Sequence, residues 1–127
     1  MIVVDTSALM AVVLGEPKAE ACIVALEKEP ALAISAGTVA EALIVAEHRN
    51  VQPELESLLD GLGFEVVPVS TAMARRVADA YARWGKGMHR AALNFGDCFA
   101  YALAKERGCR LLYVGADFAH TDVERVV

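Results

Sequence analysis

Short apolar runs alternate with longer segments of helical periodicity along this chain. Runs rich in Val, Ile and Leu predict buried strands at residues 2–4, 31–34, 64–69 and 111–114. Segments with apolar residues three or four positions apart predict helices at residues 7–14, 17–28, 38–49, 53–62, 71–84 and 94–107. This alternation is typical of a parallel sheet covered by helices. We expect one α/β domain over residues 1–127, whose tail returns as a short edge strand at residues 126–127.

Acidic residues stand where apolar runs give way to a helix or a turn. They are Asp5, Glu41, Asp97 and Asp117. Strand carboxyl ends and helix N-termini lie along one edge of a parallel sheet, which is where such folds bind ligands. Four carboxylates meeting there repel one another unless a cation lies among them. Oxygen ligands without Cys or His favour Mg²⁺ or Mn²⁺ over zinc, so the pattern predicts a divalent-metal site.

Two of these acids also fit a purely structural role as part of a helix cap. Thr38 and Glu41 have the spacing of a capping box, in which Glu41 would bond the backbone of Thr38. Asn94 and Asp97 have the same spacing. A helix N-terminus favours the ionised carboxylate, which is also the form that a metal ligand needs. The sequence alone leaves both roles open.

Asp5 and Asp117 have structural alternatives as well. Asp5 could cap the helix that starts near Ser7, and Asp117 could be a turn residue after Gly115. The hydroxyls of Thr6 and Ser7 stand beside Asp5, where they could hold a water, a ligand or a scissile phosphate. Helix capping is their alternative role, particularly for Ser7. Four unrelated caps on one sheet edge are the less economical explanation, so we favour the metal site.

The net charge of −5 conceals an uneven distribution of charge. Without the four candidate ligands, 13 acidic residues remain against 12 Lys plus Arg, so the rest of the chain is nearly neutral. Five cations against one acid make the segment 75–90 basic: Arg75, Arg76, Arg83, Lys86 and Arg90, against Asp79. A basic segment beside an acidic, metal-loaded pocket suits cleavage of a polyanion.

The basic segment also supplies candidate contacts to a substrate. Lys86 and Arg90 lie in a glycine-containing loop and are predicted to contact backbone phosphates. Trp84 could stack on a base or pack at a corner of the domain. For Arg75 and Arg76 a solvated helix face is the favoured interpretation.

Cysteine usage and the length of the apolar stretches restrict the setting of the protein. The three cysteines are odd in number and form no C-x-x-C pair, so we expect a reducing compartment, the cytoplasm. No apolar stretch approaches the roughly 18 residues that span a membrane. The hydrophobic fraction of 56% is high, and the helices at 7–14 and 17–28 hold more apolar residues than one core face usually takes. Simple burial is the favoured explanation, and a partner surface is the alternative.

Several of these motifs together resemble PIN domains, and in particular VapC-type toxins of bacterial toxin–antitoxin pairs. The motifs are V-V-D-T-S-A at 3–8, the helix of Glu41, L-N-F-G-D-C-F-A-Y-A-L-A at 93–104, and G-A-D-F and T-D within 111–122. The resemblance covers essentially the whole chain. It implies a three-layer α/β/α sandwich around a mainly parallel sheet, and an endoribonuclease that depends on Mg²⁺ or Mn²⁺.

The resemblance also assigns roles to individual residues and implies partners. Asp5, Glu41 and Asp97 match the three principal metal-site acids of the family, and Asp117 matches a more variable fourth. Asp122 is a candidate substitute or indirect contributor. RNA would be the substrate, a cognate antitoxin would fill the active-site groove, and the protein would form a homodimer. A non-catalytic PIN-like domain that binds RNA or serves as a scaffold is the alternative function.

Overall fold

The computed structural model describes all of residues 1–127 and contains four strands, six α-helices and one 3₁₀ turn. The strands are β1 (Ile2–Val4), β2 (Leu32–Ser35), β3 (Glu65–Val67) and β4 (Arg110–Leu112). The helices are α1 (Thr6–Leu14), α2 (Ala19–Lys28), α3 (Ala36–His48), α4 (Gln52–Leu62), α5 (Thr71–Trp84) and α6 (Phe95–Arg107), and the 3₁₀ turn is Phe118–His120. The four strands and six helices predicted before the C-terminal tail are all present, with ends that differ by a few residues.

The four strands form one parallel sheet in the order β3-β2-β1-β4. Val3, in the middle of β1, pairs with Ala33 on one side and with Leu111 on the other. β1 is therefore a central strand, and its carboxyl end lies between those of β2 and β4. This topology confirms the predicted α/β fold and gives the residue after β1 a neighbouring strand on each side.

Each face of the sheet has its own hydrophobic core, because alternate residues of a strand point to opposite faces. Ile2, Val4 and Ile34 pack with buried residues of α1, α2, α3 and α4. Val3 and Leu111 pack on the other face with α5 and α6. Burial on both faces explains why the two central strands, β1 and β2, are mainly apolar runs in the sequence. The predicted three-layer α/β/α sandwich is confirmed.

Most of the apolar side chains of α1 and α2 are covered by this packing. Leu9, Met10 and Leu26 are buried, whereas Ile23 and Val24 are exposed. Burial under the sheet therefore accounts for most of the apolar excess noted in these two helices. No helix of the structure has both the length and the apolar character needed to cross a bilayer.

The C-terminal tail returns beside β4, but not as the predicted strand at residues 126–127. Arg125 forms a single parallel bridge with Leu111. The N–H of Leu111 donates to the carbonyl of Glu124 at 2.8 Å, and the N–H of Val126 donates to the carbonyl of Leu111 at 3.2 Å. The prediction is wrong in extent because β4 has only three residues and the tail pairs with one of them.

Candidate metal-binding active site

The four predicted acids follow the strands and helix starts that share the carboxyl edge of the sheet. Asp5 comes directly after β1, and Glu41 lies in the second turn of α3, which follows β2 without a loop. Asp97 is in the first turn of α6. Asp117 follows β4 and immediately precedes the 3₁₀ turn. The parallel topology therefore gathers residues that are far apart in the sequence.

Asp5 is the most buried of the four acids, and one of its oxygens has no partner. Oδ2 accepts hydrogen bonds from the backbone N–H of Ser7 at 3.0 Å and from Ser7 Oγ at 2.6 Å. Oδ1 is buried and accepts no hydrogen bond. Burial raises the pKa of Asp5 to about 7; the bonds from Ser7 oppose this rise, and the charges of Asp97 and Glu41 add to it. A buried, unpartnered carboxylate oxygen is costly, and a bound cation would remove that cost.

Ser7 fixes the orientation of Asp5 and does not cap α1. The N-cap of α1 is Asp5 itself, because the helix begins at Thr6 and Ser7 lies inside its first turn. Ser7 Oγ also accepts a hydrogen bond from the N–H of Val114 at 3.0 Å. This hydroxyl therefore connects the first acid to the start of the chain segment that follows β4.

The carboxylate of Glu41 is held by contacts with two other helices. Thr6 Oγ1 donates a 2.6 Å hydrogen bond to its Oε1. Its Oε2 lies against Gly96, in the space that a Cβ on that residue would need. The capping box considered as an alternative role for Glu41 is not formed, because Ser35 caps α3 and Thr38 lies inside the helix. The carboxylate of Glu41 therefore does not cap its own helix and points towards the other acids.

Asp97 combines the two roles that the sequence left open. Its N–H donates to Asn94 Oδ1 at 2.8 Å, and its Oδ2 accepts from the N–H of Asn94 at 2.9 Å, which confirms the predicted capping box. Burial raises the pKa of Asp97 to about 6; the bond from Asn94 opposes the rise, and the charges of Glu41 and Asp117 add to it. The same carboxylate thus caps α6 and lies near two other acids.

Asp117 is the exposed member of the group. It precedes the 3₁₀ turn, in keeping with the turn role considered for it, and its carboxylate accepts no hydrogen bond. Its charge nevertheless contributes to the raised pKa of Asp97, so the two carboxylates lie near each other. The structure therefore places all four predicted acids along the same edge of the sheet, three with fixed carboxylates and one without.

The four acids suit a divalent cation in their chemistry, although they do not close around one. No group of three or more His, Cys, Asp or Glu side chains is arranged, as it stands, to hold a metal ion. Asp5 nevertheless offers a buried oxygen without a partner, and mutual repulsion contributes to the raised pKa values of Asp5 and Asp97. All the donors are oxygens, which Mg²⁺ and Mn²⁺ prefer. Asp5, Glu41, Asp97 and Asp117 are the residues that would hold such an ion.

The predicted substrate contacts are less closely tied to this site. The hydroxyls of Thr6 and Ser7 already donate to site carboxylates, so their contact with substrate stays a prediction. Lys86 and Arg90 are exposed in the loop between α5 and α6, and neither forms an ion pair. Trp84 is buried, so it packs at a corner of the domain and is not available for base stacking.

Sequence reasoning missed the part played by Gly96. Glycine usually weakens a helix, and its presence in the first turn of α6 was the available signal that something approaches the backbone there. Gly37 has the same role for Phe99, whose ring lies where a Cβ on residue 37 would be. The two glycines let α3 and α6 approach each other closely beside the acids.

An apolar groove between α3 and α6 adjoins the acids and was also missed. Glu41 lines the groove together with apolar side chains, including Ile44, Phe95 and Phe99. Phe95 is 70% exposed and Ile44 is 59% exposed. The rings of Phe95 and Phe99 meet edge to face, with centroids 5.0 Å apart. An exposed apolar surface therefore continues directly into the acidic site.

A fold of this kind with acids at this edge has close counterparts among known proteins. The family model of the PIN domain matches residues 2–124. Over 127 residues the chain is 42% identical to Ribonuclease VapC30 of Mycobacterium tuberculosis (strain ATCC 25618 / H37Rv), a match that covers 98% of this chain and 97% of that protein. The chain therefore belongs to the PIN-domain family. Within that family its relatives at this level of identity are named VapC ribonucleases.

Solved structures agree with this assignment at the level of the fold. The crystal structure of Mycobacterium tuberculosis VapC20, a sarcin-ricin loop cleaving toxin, superimposes with a TM-score of 0.81 at 16% identity, over 99% of this chain and 98% of that one. A toxin–antitoxin complex from Klebsiella pneumoniae has a TM-score of 0.74 at 21% identity, over 100% of this chain and 97% of that one. Both comparisons show the same architecture.

Proposed function

We propose that this protein is an endoribonuclease that requires Mg²⁺ or Mn²⁺ and acts as the toxin of a toxin–antitoxin pair. The observation that carries the proposal is the buried oxygen of Asp5 that has no partner, on a carboxylate whose pKa is raised in part by the charges of Asp97 and Glu41. A relative that is 42% identical and named a ribonuclease supports RNA as the substrate. The family assignment supports the same chemistry.

The chain supplies oriented carboxylates. Asp5, Glu41 and Asp97 each have one oxygen fixed by a hydroxyl or backbone donor of the protein. This arrangement leaves the second oxygen of each carboxylate for a cation. The side chains are already oriented, so they would not have to change rotamer to bind it. A bound Mg²⁺ or Mn²⁺ would supply Lewis acidity at the scissile phosphate and lower the pKa of water there. Asp117 would complete the set from the segment after β4.

The products follow from the identity of the nucleophile. Glu41 and Asp97 are the groups able to orient a water for in-line attack on phosphorus. Attack by water breaks the bond from phosphorus to the 3′ oxygen and leaves a 5′-phosphate and a 3′-hydroxyl. Attack by the ribose 2′-OH would leave a 2′,3′-cyclic phosphate instead. We propose the first route, so the chemistry of the new ends distinguishes the two.

Lys86 and Arg90 are the proposed contacts to the RNA backbone. Both are exposed, and neither is neutralised by an acidic partner. The loop that carries them ends at Leu93, whose carbonyl accepts from the N–H of Lys86 at 2.9 Å, just before the helix of Asp97. Phosphate contacts of this kind weaken as salt rises. Reversing both charges should therefore lower RNA affinity and flatten its salt dependence.

The partners of the protein are proposed to be an antitoxin and a second copy of this chain. We assign the second copy to the apolar groove lined by Ile44, Phe95 and Phe99, because exposed apolar patches of this kind mark protein interfaces. An antitoxin segment bound over the acids would block access to Asp5 and Glu41. We also propose a cytoplasmic location, where RNA and a reducing environment are both present.

The test is cleavage of a mixed cellular RNA pool by purified, antitoxin-free protein. Samples with Mg²⁺, Mn²⁺ or EDTA should be run beside an Asp5→Asn variant that keeps the fold by circular dichroism. We expect discrete fragments with 5′-phosphate ends that require the metal and are absent with the variant. A folded wild-type protein that binds RNA but cleaves none under any metal would instead favour the non-catalytic alternative.

A further inference from the structure

Asp117 is held in place only by the chain segment that carries it. Residues 115–123 contain no regular element beyond the 3₁₀ turn, and apart from those of the Asp122 side chain their hydrogen bonds stay within the segment. Phe118 anchors the segment in the core, with its ring 5.0 Å from that of Tyr113. The position of the fourth acid therefore depends on what else holds this segment.

Asp122 makes the polar contacts that join the segment to the neighbouring helices. Its Oδ1 accepts a 2.5 Å hydrogen bond from the hydroxyl of Tyr101 on α6. Its Oδ2 lies 3.4 Å from Lys105 Nζ on α6 and 3.6 Å from Arg83 Nη1 on α5. The two ion pairs are largely exposed and contribute little, so the bond from Tyr101 is the principal tie.

Tyr101 is itself fixed by a second buried side chain. Trp84 Nε1–H donates to the Tyr101 hydroxyl oxygen at 2.9 Å, and both residues are buried. An indole N–H can only donate, so the hydroxyl proton of Tyr101 is available for Asp122. Tyr101 lies four residues after Asp97 on α6, so both side chains are on the same face of that helix.

We propose that Asp122 is a positioning residue that fixes Asp117 relative to Asp97. The hydrogen bond between Tyr101 and Asp122 attaches the segment that carries Asp117 to the face of α6 that carries Asp97. Asp122 would not be among the residues that hold the ion, which separates it from the four acids of the site. This inference rests on the proposed metal-dependent function and adds a residue on which that function depends.

The experiment compares the single variants Asp122→Ala and Asp117→Asn with the variant that carries both. Mn²⁺ affinity is measured by titration calorimetry, and amide hydrogen exchange of residues 115–123 is measured on the metal-free protein. We expect Asp122→Ala to speed that exchange and to weaken Mn²⁺ binding about tenfold, as loss of a supporting contact typically does. The double variant should bind Mn²⁺ no more weakly than Asp117→Asn, because Asp122 acts through Asp117.

Two further variants separate positioning from a general loss of structure. Tyr101→Phe removes the same tie from the helix side and should repeat the effect of Asp122→Ala on both measurements. Glu65→Ala removes an exposed ion pair with Arg107, 2.8 Å long, that has no contact with the segment, and it should change neither measurement. Wild-type exchange and Mn²⁺ affinity in Asp122→Ala would overturn the inference, as would a double variant clearly weaker than Asp117→Asn.

Failure of the inference is distinguishable from failure of the proposed function. A wild-type protein that binds no Mn²⁺ would refute the metal-dependent function. The exchange measurement needs no metal or RNA, so unchanged exchange in Asp122→Ala overturns the positioning role whatever the metal result. Normal wild-type cleavage together with an unaffected Asp122→Ala would refute the positioning role alone.

Discussion

The carboxylate of Glu41 lies against Gly96, where a side chain on residue 96 would otherwise be. This contact joins α3 to the first turn of α6 and brings Glu41 beside Asp97. Gly96 is not among the glycines with positive φ, so its backbone conformation is open to other residues. The carboxylate, rather than the backbone, is what requires glycine at this position.

Gly96→Ala should therefore reduce activity without destabilising the protein. The added methyl would displace the carboxylate of Glu41, a flexible group, and we expect RNA cleavage to fall about tenfold or more. Alanine favours a helix by up to about 1 kcal/mol over glycine, so the free energy of unfolding should stay the same or rise. Urea denaturation and an initial-rate cleavage assay measure the two effects.

Gly61→Ala is the matched control for this variant. Gly61 lies in α4, and a Cβ there would meet nothing within 4 Å. It should gain stability and keep full activity. Gly96→Ala that cleaves at the wild-type rate would show that the position of Glu41 does not matter for the reaction.

Thr6→Val tests the hydroxyl that holds Glu41. Valine keeps the shape of threonine but removes the 2.6 Å hydrogen bond to Glu41 Oε1. We expect cleavage to fall about tenfold or more, because a metal-site carboxylate loses its orienting donor. Thr6→Ser keeps the donor and should retain most of the activity. Equal rates for the two variants would mean that this bond does not contribute.

The stability of the metal-free protein should fall as pH rises towards 8. The pKa of Asp5 is about 7 in the folded protein against an ordinary value of 3.8, so the folded state binds this proton more tightly. The stabilisation is present below about pH 4 and is lost as pH rises through about 7. Asp5 alone should lower the free energy of unfolding by up to roughly 4 kcal/mol over this range.

Asp5→Asn isolates this effect, because it cannot ionise. Urea denaturation in EDTA should show the variant to be more stable than the wild type at pH 8, with the difference shrinking towards pH 4. Addition of Mn²⁺ at pH 8 should stabilise the wild type more than the variant. Parallel pH profiles for the two proteins would remove Asp5 as the source of the pH dependence.

Phe95→Ser tests the assignment of the apolar groove to a second copy. Phe95 is 70% exposed beside Ile44, and replacing it by a polar residue should weaken a dimer formed through this surface. Sedimentation velocity should show a shift towards the monomer at micromolar concentration. Met88→Ser is the control, since Met88 is 61% exposed in the loop after α5. Equal dimer fractions for Phe95→Ser and the wild type would place the interface elsewhere.

The sequence was sufficient to predict the layers of the fold and the edge of the sheet at which the four acids stand. The central strands β1 and β2 are buried on both faces, so their residues are mainly apolar, and the acids that follow the strands must share one edge. The capping box considered for Glu41 is absent, because local spacing cannot show that α3 begins with Ser35 as its cap. A bond between Thr6 and Glu41 depends on how two helices pack.

The contacts that complete the site are long-range and leave little trace in local pattern. Gly96 is a single glycine within a helix. The reason for glycine at this position is visible only in the structure, where the carboxylate of Glu41 occupies the space of a side chain. The tie from Tyr101 to Asp122 joins residues 21 positions apart that follow no periodic rule. Tertiary packing, rather than propensity, decided both.

The most direct measurement is to determine Mn²⁺ binding and RNA cleavage over the same range of Mn²⁺ concentration, for the wild type and for Asp5→Asn. Titration calorimetry gives the binding curve, and release of 5′-phosphate ends gives the cleavage curve. Wild-type cleavage should rise in step with occupancy and vanish in EDTA, and a folded Asp5→Asn should lose both tight binding and cleavage. Cleavage that persists in EDTA, or in the variant at the wild-type rate, would rule out these carboxylates as the metal site that hydrolyses RNA.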